Sequence, residues 1–174
     1  RDPLSLRIEW IVGRSYANEL GVCMYSGGDK DQDGGFHGWK TFAAEELAGK
    51  SVFSMKQDVK LLGGNIVQYG GRMLEEVLRT KALDVSSVDF FLPHLSSFFF
   101  RDRVFQELEQ RGIEIPLEKW FINLVDVGNV GSASIYLMLH DLMASGRLEK
   151  GMKVLLMVPE SARFSYTYAL MTAV

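Results

Sequence analysis

Val88-Asp89-Phe90-Phe91-Leu92-Pro93-His94 and, further along the chain, Gly128-Asn129-Val130-Gly131-Ser132-Ala133-Ser134 decide the fold. In the first stretch an apolar run of strand character ends at a proline, which cannot extend a hydrogen-bonded ladder, and a histidine follows. In the second, residues 120–125 read as another strand, and a glycine-asparagine loop leads into a helical pattern. Each loop sets one polar head at the carboxyl end of a strand. As parallel neighbours the two strands would bring His94 and Asn129 to the same sheet edge, where open α/β folds bind their ligands.

The pattern continues on both sides. Phe100, Val104 and Leu108 recur at helical spacing before Gly112, which predicts a helix over 97–111. Residues 130–145 form a second helical stretch ended by Gly146. Its apolar residues, Ile135, Tyr136, Leu137, Met138, Leu139, Leu142 and Met143, lie on every side, so it is expected to be a central helix buried on most faces. Residues 153–158 and 165–173 read as strands joined by a connection short enough for an antiparallel pair.

Upstream, residues 4–16 and 20–25 read as two partnered strands, 26–38 as a loop and 41–48 as a short helix. Residues 54–81 read as the longest helix, with Val59, Leu62, Ile66, Met73 and Val77 on one stripe. Gly63-Gly64 and Gly70-Gly71 cost that helix about 1 kcal/mol per glycine, which implies another backbone packed close against it. The order is ββαβαβαββ. We expect one α/β domain over 1–174, a mixed five-stranded sheet with helices on both faces.

A chain of 174 residues, 47% hydrophobic, can build one sizeable core. The net charge of −3 comes from interspersed charges, which argues against nucleic acid as a partner, and no apolar run approaches the ~20 residues that span a bilayer. Arg1-Asp2-Pro3 leads straight into an apolar pattern and reads as a cut edge. Cys23, the single cysteine, excludes an internal disulfide, and its apolar neighbours Val22 and Met24 predict a buried, inert thiol. A reducing cytoplasm is the expected location. Asp29, Asp31, Asp33 and Gly34 match the first half of a calcium loop, but Lys40 occupies the position that needs a bidentate glutamate, so a solvated turn is expected. His37 and His140 lie far in sequence from His94, and no metal is assigned.

From residue 84 to 173 the chain resembles the carboxyl-terminal half of β-ketoacyl-acyl carrier protein synthase III, of the thiolase superfamily that also holds the chalcone synthases. The stretch ending in His94 is similar to the family's histidine strand and loop, and the one around Asn129 to its asparagine loop. Gly146-Arg147-Leu148, Lys150-Gly151 and the strand after them resemble the next family segment.

The resemblance implies two packed halves in an α/β/α/β/α arrangement, with an acyl-accepting cysteine in the first half, upstream of Arg1. It implies that His94 and Asn129 are catalytic donors to a malonyl-type thioester, that no cofactor is needed, and that the partners are acyl carrier protein or coenzyme A thioesters and a second copy in a homodimer. Arg101 and Arg103 would face an acidic carrier. The chain departs from the family at Leu95-Ser96-Ser97, at Val130-Gly131 and at Pro159 to Phe164, where a glycine-rich loop is usual. Leu95, Val130, Gly131, Arg163 and Phe164 thereby become expected substrate contacts. These departures also leave open a non-catalytic, synthase-like partner subunit, with Arg163 or Phe164 blocking the site.

Overall fold

The computed structural model describes residues 4–174; residues 1–3, read above as a cut edge, lie outside them. In chain order the elements are β1 (Leu6–Ser15), β2 (Met24–Tyr25), β3 (Gly28–Lys30), β4 (Phe36–Gly38), α1 (Ala44–Gly49), β5 (Lys56–Gln57) and α2 (Val59–Thr80). They continue with β6 (Phe90–Pro93), α3 (Arg101–Gln110), α4 (Leu124–Val127), α5 (Ser134–Ala144), β7 (Lys153–Glu160) and β8 (Ser165–Ala173).

The main sheet runs β1-β8-β7-β6, with β6 parallel to β7 and the other pairs antiparallel. The mixed α/β architecture is as expected, with helices on both faces, but the sheet has four strands rather than five. Of the six strands read from the sequence, those over 120–125 and 20–25 are not in this sheet. Trp120 makes a single parallel bridge to Phe91. Immediately beyond it, the Asp126 and Val127 amides donate to the Asn123 carbonyl, and this curls the backbone into α4 before a ladder can extend.

Residues 20–25 also leave the sheet. The Glu19 and Leu20 amides turn back onto the Tyr16 carbonyl, and only Met24 and Tyr25 pair, with β5 rather than with β1. The loop read over 26–38 holds a small hairpin of β3 and β4, in which Lys56 binds Asp29 at 2.7 Å and His37 binds Asp31 at 2.9 Å. The long helix starts at Val59 and not at 54, because residues 56–57 are used in β5 and the Asp58 carboxylate caps the helix by accepting the Leu61 amide.

Alternation along β6 and β7 divides the core in two. Phe91, Leu155 and Met157 face α2 and α3, where they meet Met73, Leu74, Val104 and Leu108. Phe90, Leu92, Val154 and Leu156 face α5 and meet Ile135, Met138 and Leu142.

The two glycine pairs of α2 behave differently. Gly63 and Gly64 are exposed with open space beside them, whereas Gly70 and Gly71 are buried. Side chains crowd the second pair, not a backbone: a Cβ on Gly70 would lie 3.0 Å from Met157 Cε, and one on Gly71 would lie 2.7 Å from Glu107 Cγ. Tyr166 and Tyr168 pin the same helix through hydroxyls that donate to the Ile66 and Gly70 carbonyls at 2.7 and 2.9 Å.

α5 is not the enclosed helix its composition suggests. Ile135, Met138 and Leu142 are buried, but Tyr136 is 72% exposed, and Leu137 and Met143 are open to solvent beside it. Within this chain the sheet covers only one side of α5.

Candidate active site

Pro93 closes β6, yet the His94 amide still donates to the Met157 carbonyl at 2.8 Å. This bond continues the parallel ladder one residue past the proline and holds the start of the loop as firmly as the strand. The His94 side chain is half-buried, and loss of hydration pushes its pKa below the ordinary 6.5. The imidazole is therefore neutral at pH 7, with one nitrogen carrying a hydrogen to donate.

This shift has a measurable sign. Between 6.5 and the lower native value, the unfolded chain binds a proton that the folded chain refuses, so stability is fully present above 6.5 and is lost as pH falls through that window. Denaturant titrations of the full-length protein above and below the window are expected to show this slope, and His94→Gln to flatten it. An unchanged slope in the variant would assign it to other groups.

Asn129 sits in a loop that its glycines make possible. Gly128 has φ 75° with ψ −175°, and Gly131 has φ 62°, both conformations that side chains resist. Asn129 Oδ1 accepts the Gly131 amide at 3.0 Å. With its oxygen held inward, the carboxamide presents its NH2 end, the donor, to the surroundings. The helix that follows opens with one 3-10 turn before α5, and Ser134 Oγ accepts the Val130 amide at 3.3 Å.

His94 and Asn129 line one cavity of about 390 Å³, together with Leu95 and Gly131. The structure does not bring the other expected contacts there. Val130 faces solvent outside the cavity lining. Phe164 is fully buried in the core, and the exposed Arg163 reaches the Ala17 carbonyl at 3.3 Å, so neither contacts the cavity or blocks it. In the turn after β7 the Glu160 carboxylate accepts the Ala162 and Arg163 amides; Glu160 and Ser161 stay in the cavity lining, while Phe164 turns into the core. Arg101 pairs with its neighbour Asp102 at 2.8 Å, and Arg103 lies over the Phe99 ring at 4.1 Å.

Sequence reasoning missed much of the lining. Met24 and Gln57 come from the small β2-β5 ribbon, Leu62, Ile66 and Val67 from α2, and Glu160 and Ser161 from the end of β7 and the turn after it. Gln57 Nε2 donates to Ser161 Oγ at 3.3 Å and ties ribbon to turn. The apolar stripe of α2 was legible as a core face, but nothing in its spacing separates positions that fill a core from positions that line a void.

Cys23 is fully buried, burial pushes its thiol pKa up, and Sγ donates to the Asp58 carbonyl at 3.3 Å, in keeping with an inert thiol. Among the described residues no three His, Cys, Asp or Glu side chains are grouped to hold a metal, and no helix is long and apolar enough to cross a membrane.

Residues 78–167, more than half of the chain, match the family described as 3-oxoacyl-[acyl-carrier-protein (ACP)] synthase III C terminal. The chain belongs to this family. A β-ketoacyl-[acyl-carrier-protein] synthase III of Nitratidesulfovibrio vulgaris is 31% identical over 119 residues, which cover 66% of this chain and 33% of the relative. One from Methylococcus capsulatus is 29% identical over 86 residues, covering 49% and 25%.

Among solved structures, the synthase III of Thermus thermophilus superposes with a TM-score of 0.70 at 18% identity, covering 95% of this chain and 46% of that one. OleA of Xanthomonas campestris, in a cysteine-to-serine form with lauric acid and lauroyl-CoA bound, gives 0.68 at 20% identity, covering 97% and 41%. The chain thus spans about a third of the curated synthase III relative from Nitratidesulfovibrio vulgaris and under half of these structural neighbours.

Proposed function

We propose that this chain is the carboxyl-terminal half of a condensing enzyme of the synthase III type, which joins an acyl thioester to a malonyl-type thioester with loss of carbon dioxide. The observation that carries the reading is the shared cavity: His94, neutral by desolvation, and Asn129, with its oxygen already engaged, are two hydrogen-bond donors lining one mostly apolar space. Decarboxylation leaves an enolate, and fixed donors in such a space stabilise the charge as it develops. The acyl-accepting nucleophile belongs to a preceding half, since Cys23 is buried and engaged. Acyl groups would arrive on an acyl carrier protein or coenzyme A, with Arg101 and Arg103 facing an acidic carrier, and the intact protein would act as a homodimer.

Arg163 and Phe164 leave the cavity open, which favours catalysis over a purely supporting subunit. The assay is decarboxylation of a malonyl thioester by the full-length protein. Rates unchanged in both His94→Ala and Asn129→Ala would overturn the assignment.

The same reading explains the open side of α5. Tyr136, Leu137 and Met143 form an apolar surface there, and Ile11 of β1 is 58% exposed on the same sheet face, opposite Trp10 and Val12. The preceding half would cover this surface. Leu137→Asp, at a position 37% exposed in this chain, is expected to destabilise the full-length protein by about 1–3 kcal/mol through burial of an unpaired charge. Thermal unfolding of the full-length variant checks this; a melting temperature equal to that of the parent would show that the face stays wet.

A further inference from the structure

The single turn of α4 lies between the Trp120 bridge and Asn129, and none of its residues is buried. A helix this short does not hold itself together in water, so its place has to be fixed from outside. Asparagine at the start of a helix usually caps it by accepting an amide of the first turn, but Asn123 makes no such side-chain bond. Its carboxamide turns away instead, and Nδ2 donates to Asp141 Oδ2 on α5 at 2.5 Å. The main-chain carbonyl of Asn123 meanwhile accepts the Asp126 and Val127 amides at 3.1 and 3.0 Å. What fixes Asn123 therefore fixes α4.

We propose that Asp141 is a positioning residue for Asn129, holding it through Asn123 and α4 in the place that enolate stabilisation requires. The inference rests on the condensing reading. Asp141 itself does not line the cavity, so it acts only through what it holds. α5 grips the segment at both ends: Asp141 takes the entry, and the buried Ser134 takes the exit by accepting the Val130 amide at 3.3 Å. Only residues 124–129 lie between the two anchors. Asn123, Gly128 and Ser134 also border, together with His94, a second gap of about 10 Å³, so the clamp backs onto the histidine as well. The Asn123 carboxamide, and after it His140 with Nδ1 3.1 Å from the other oxygen, keep the Asp141 carboxyl below the ordinary 3.8. The acceptor is charged at neutral pH, and charge-assisted bonds of this kind are roughly twice as strong as neutral ones.

Losing Asp141 would leave the Asn129 carboxamide chemically intact but free to drift. A displacement of about 1 Å in a catalytic group can cost on the order of 10²-fold in rate. The loss should fall on turnover rather than on binding, because the donor acts mainly as the enolate forms. It should also vanish once Asn129 is gone, since Asp141 then has no donor left to position. A contact that only stabilises the fold has neither signature.

The test uses the full-length protein with malonyl-coenzyme A, reading carbon dioxide release beside melting curves. Asp141→Ala is expected to lower kcat by about tenfold or more with KM within about twofold, and to add nothing in an Asn129→Ala background. Asp141→Asn keeps an uncharged acceptor and should lose less, again only where Asn129 is present. If Asp141→Ala does not fold, Asp141→Asn measured in the two backgrounds decides alone. Asn123→Asp sets two carboxylates face to face and should also lower kcat; adding Asp141→Asn to it rebuilds the bond with donor and acceptor exchanged and should restore most of the rate. Release that depends on His94 and Asn129 but keeps its kcat without Asp141, or falls by the same factor with and without Asn129, would overturn the positioning role and leave the condensing reading intact. Release independent of His94 and Asn129 would overturn both.

Discussion

In the full-length protein, His94→Ala and Asn129→Ala are each expected to lower the rate of malonyl thioester decarboxylation by about 10²–10³-fold, the usual effect of removing one preorganised donor from a developing oxyanion. Both kcat and kcat/KM should fall together, because the interaction strengthens as the enolate forms and contributes little to the bound thioester. The double variant should lose less than the product of the two single losses, since donors that share one oxygen act as a unit. The structure also distinguishes milder replacements. His94→Gln keeps a donor without the imidazole and should retain more activity than His94→Ala. Asn129→Asp turns the presented donor into an acceptor with a charge, and should be at least as damaging as Asn129→Ala. Steady-state assays beside melting curves separate these effects from loss of fold.

The largest stability effect is expected at Phe91→Ala. The ring is fully buried and packs edge-on to Trp120 with centroids 5.0 Å apart. Removing it from this site should cost about 3–5 kcal/mol, combining lost burial with the cavity left behind. That is a large share of the ~5–15 kcal/mol that holds a typical domain together. The position also matters for the site, because Phe91 lies in β6, the strand that delivers His94, and the backbone carbonyl of Phe91 accepts the amide of Phe121 at 2.9 Å. Denaturant unfolding of Phe91→Ala should show a lower midpoint with an unchanged slope. A cost under about 1 kcal/mol would mean that Trp120 collapses into the gap.

The two loops were legible in the sequence because each combines a local signal with an exceptional residue: a proline that stops β6 ahead of His94, and glycines around Asn129 that adopt positive φ. The strands 153–158 and 165–173 were legible for a similar reason, since their turn is short and both are rich in apolar and aromatic residues. The strand read over 120–125 was misplaced because β propensity in Trp120 and Phe121 says nothing of the Asn123 carbonyl, which captures two amides and starts α4. Residues 20–25 were misplaced because the partner of β1 lies at the far end of the chain, and periodicity carries no information on pairing over that distance. Arg163 and Phe164 were placed in the site from their position in a loop; the Glu160 carboxylate shapes that loop by local bonds, but the burial of Phe164 in the core, which takes it out of the site, is a tertiary outcome that spacing does not reveal. The open face of α5 follows from what a single chain can cover, which an all-round apolar pattern does not disclose.

The pairing of β1 with β8 bears on how the protein is made. Leu6 pairs with Ala173 and Ser15 with Ser165, so β1 leaves the ribosome well before the strand it pairs with. At roughly 5–20 residues per second, the delay amounts to on the order of ten to thirty seconds of synthesis. Throughout that time β1 presents an unpaired edge bearing Ile8 and Ile11, a template for pairing with other nascent chains. High contact order of this kind makes the closing of the sheet a late and slow event, and crowding of partly made chains is the condition under which its yield should suffer most.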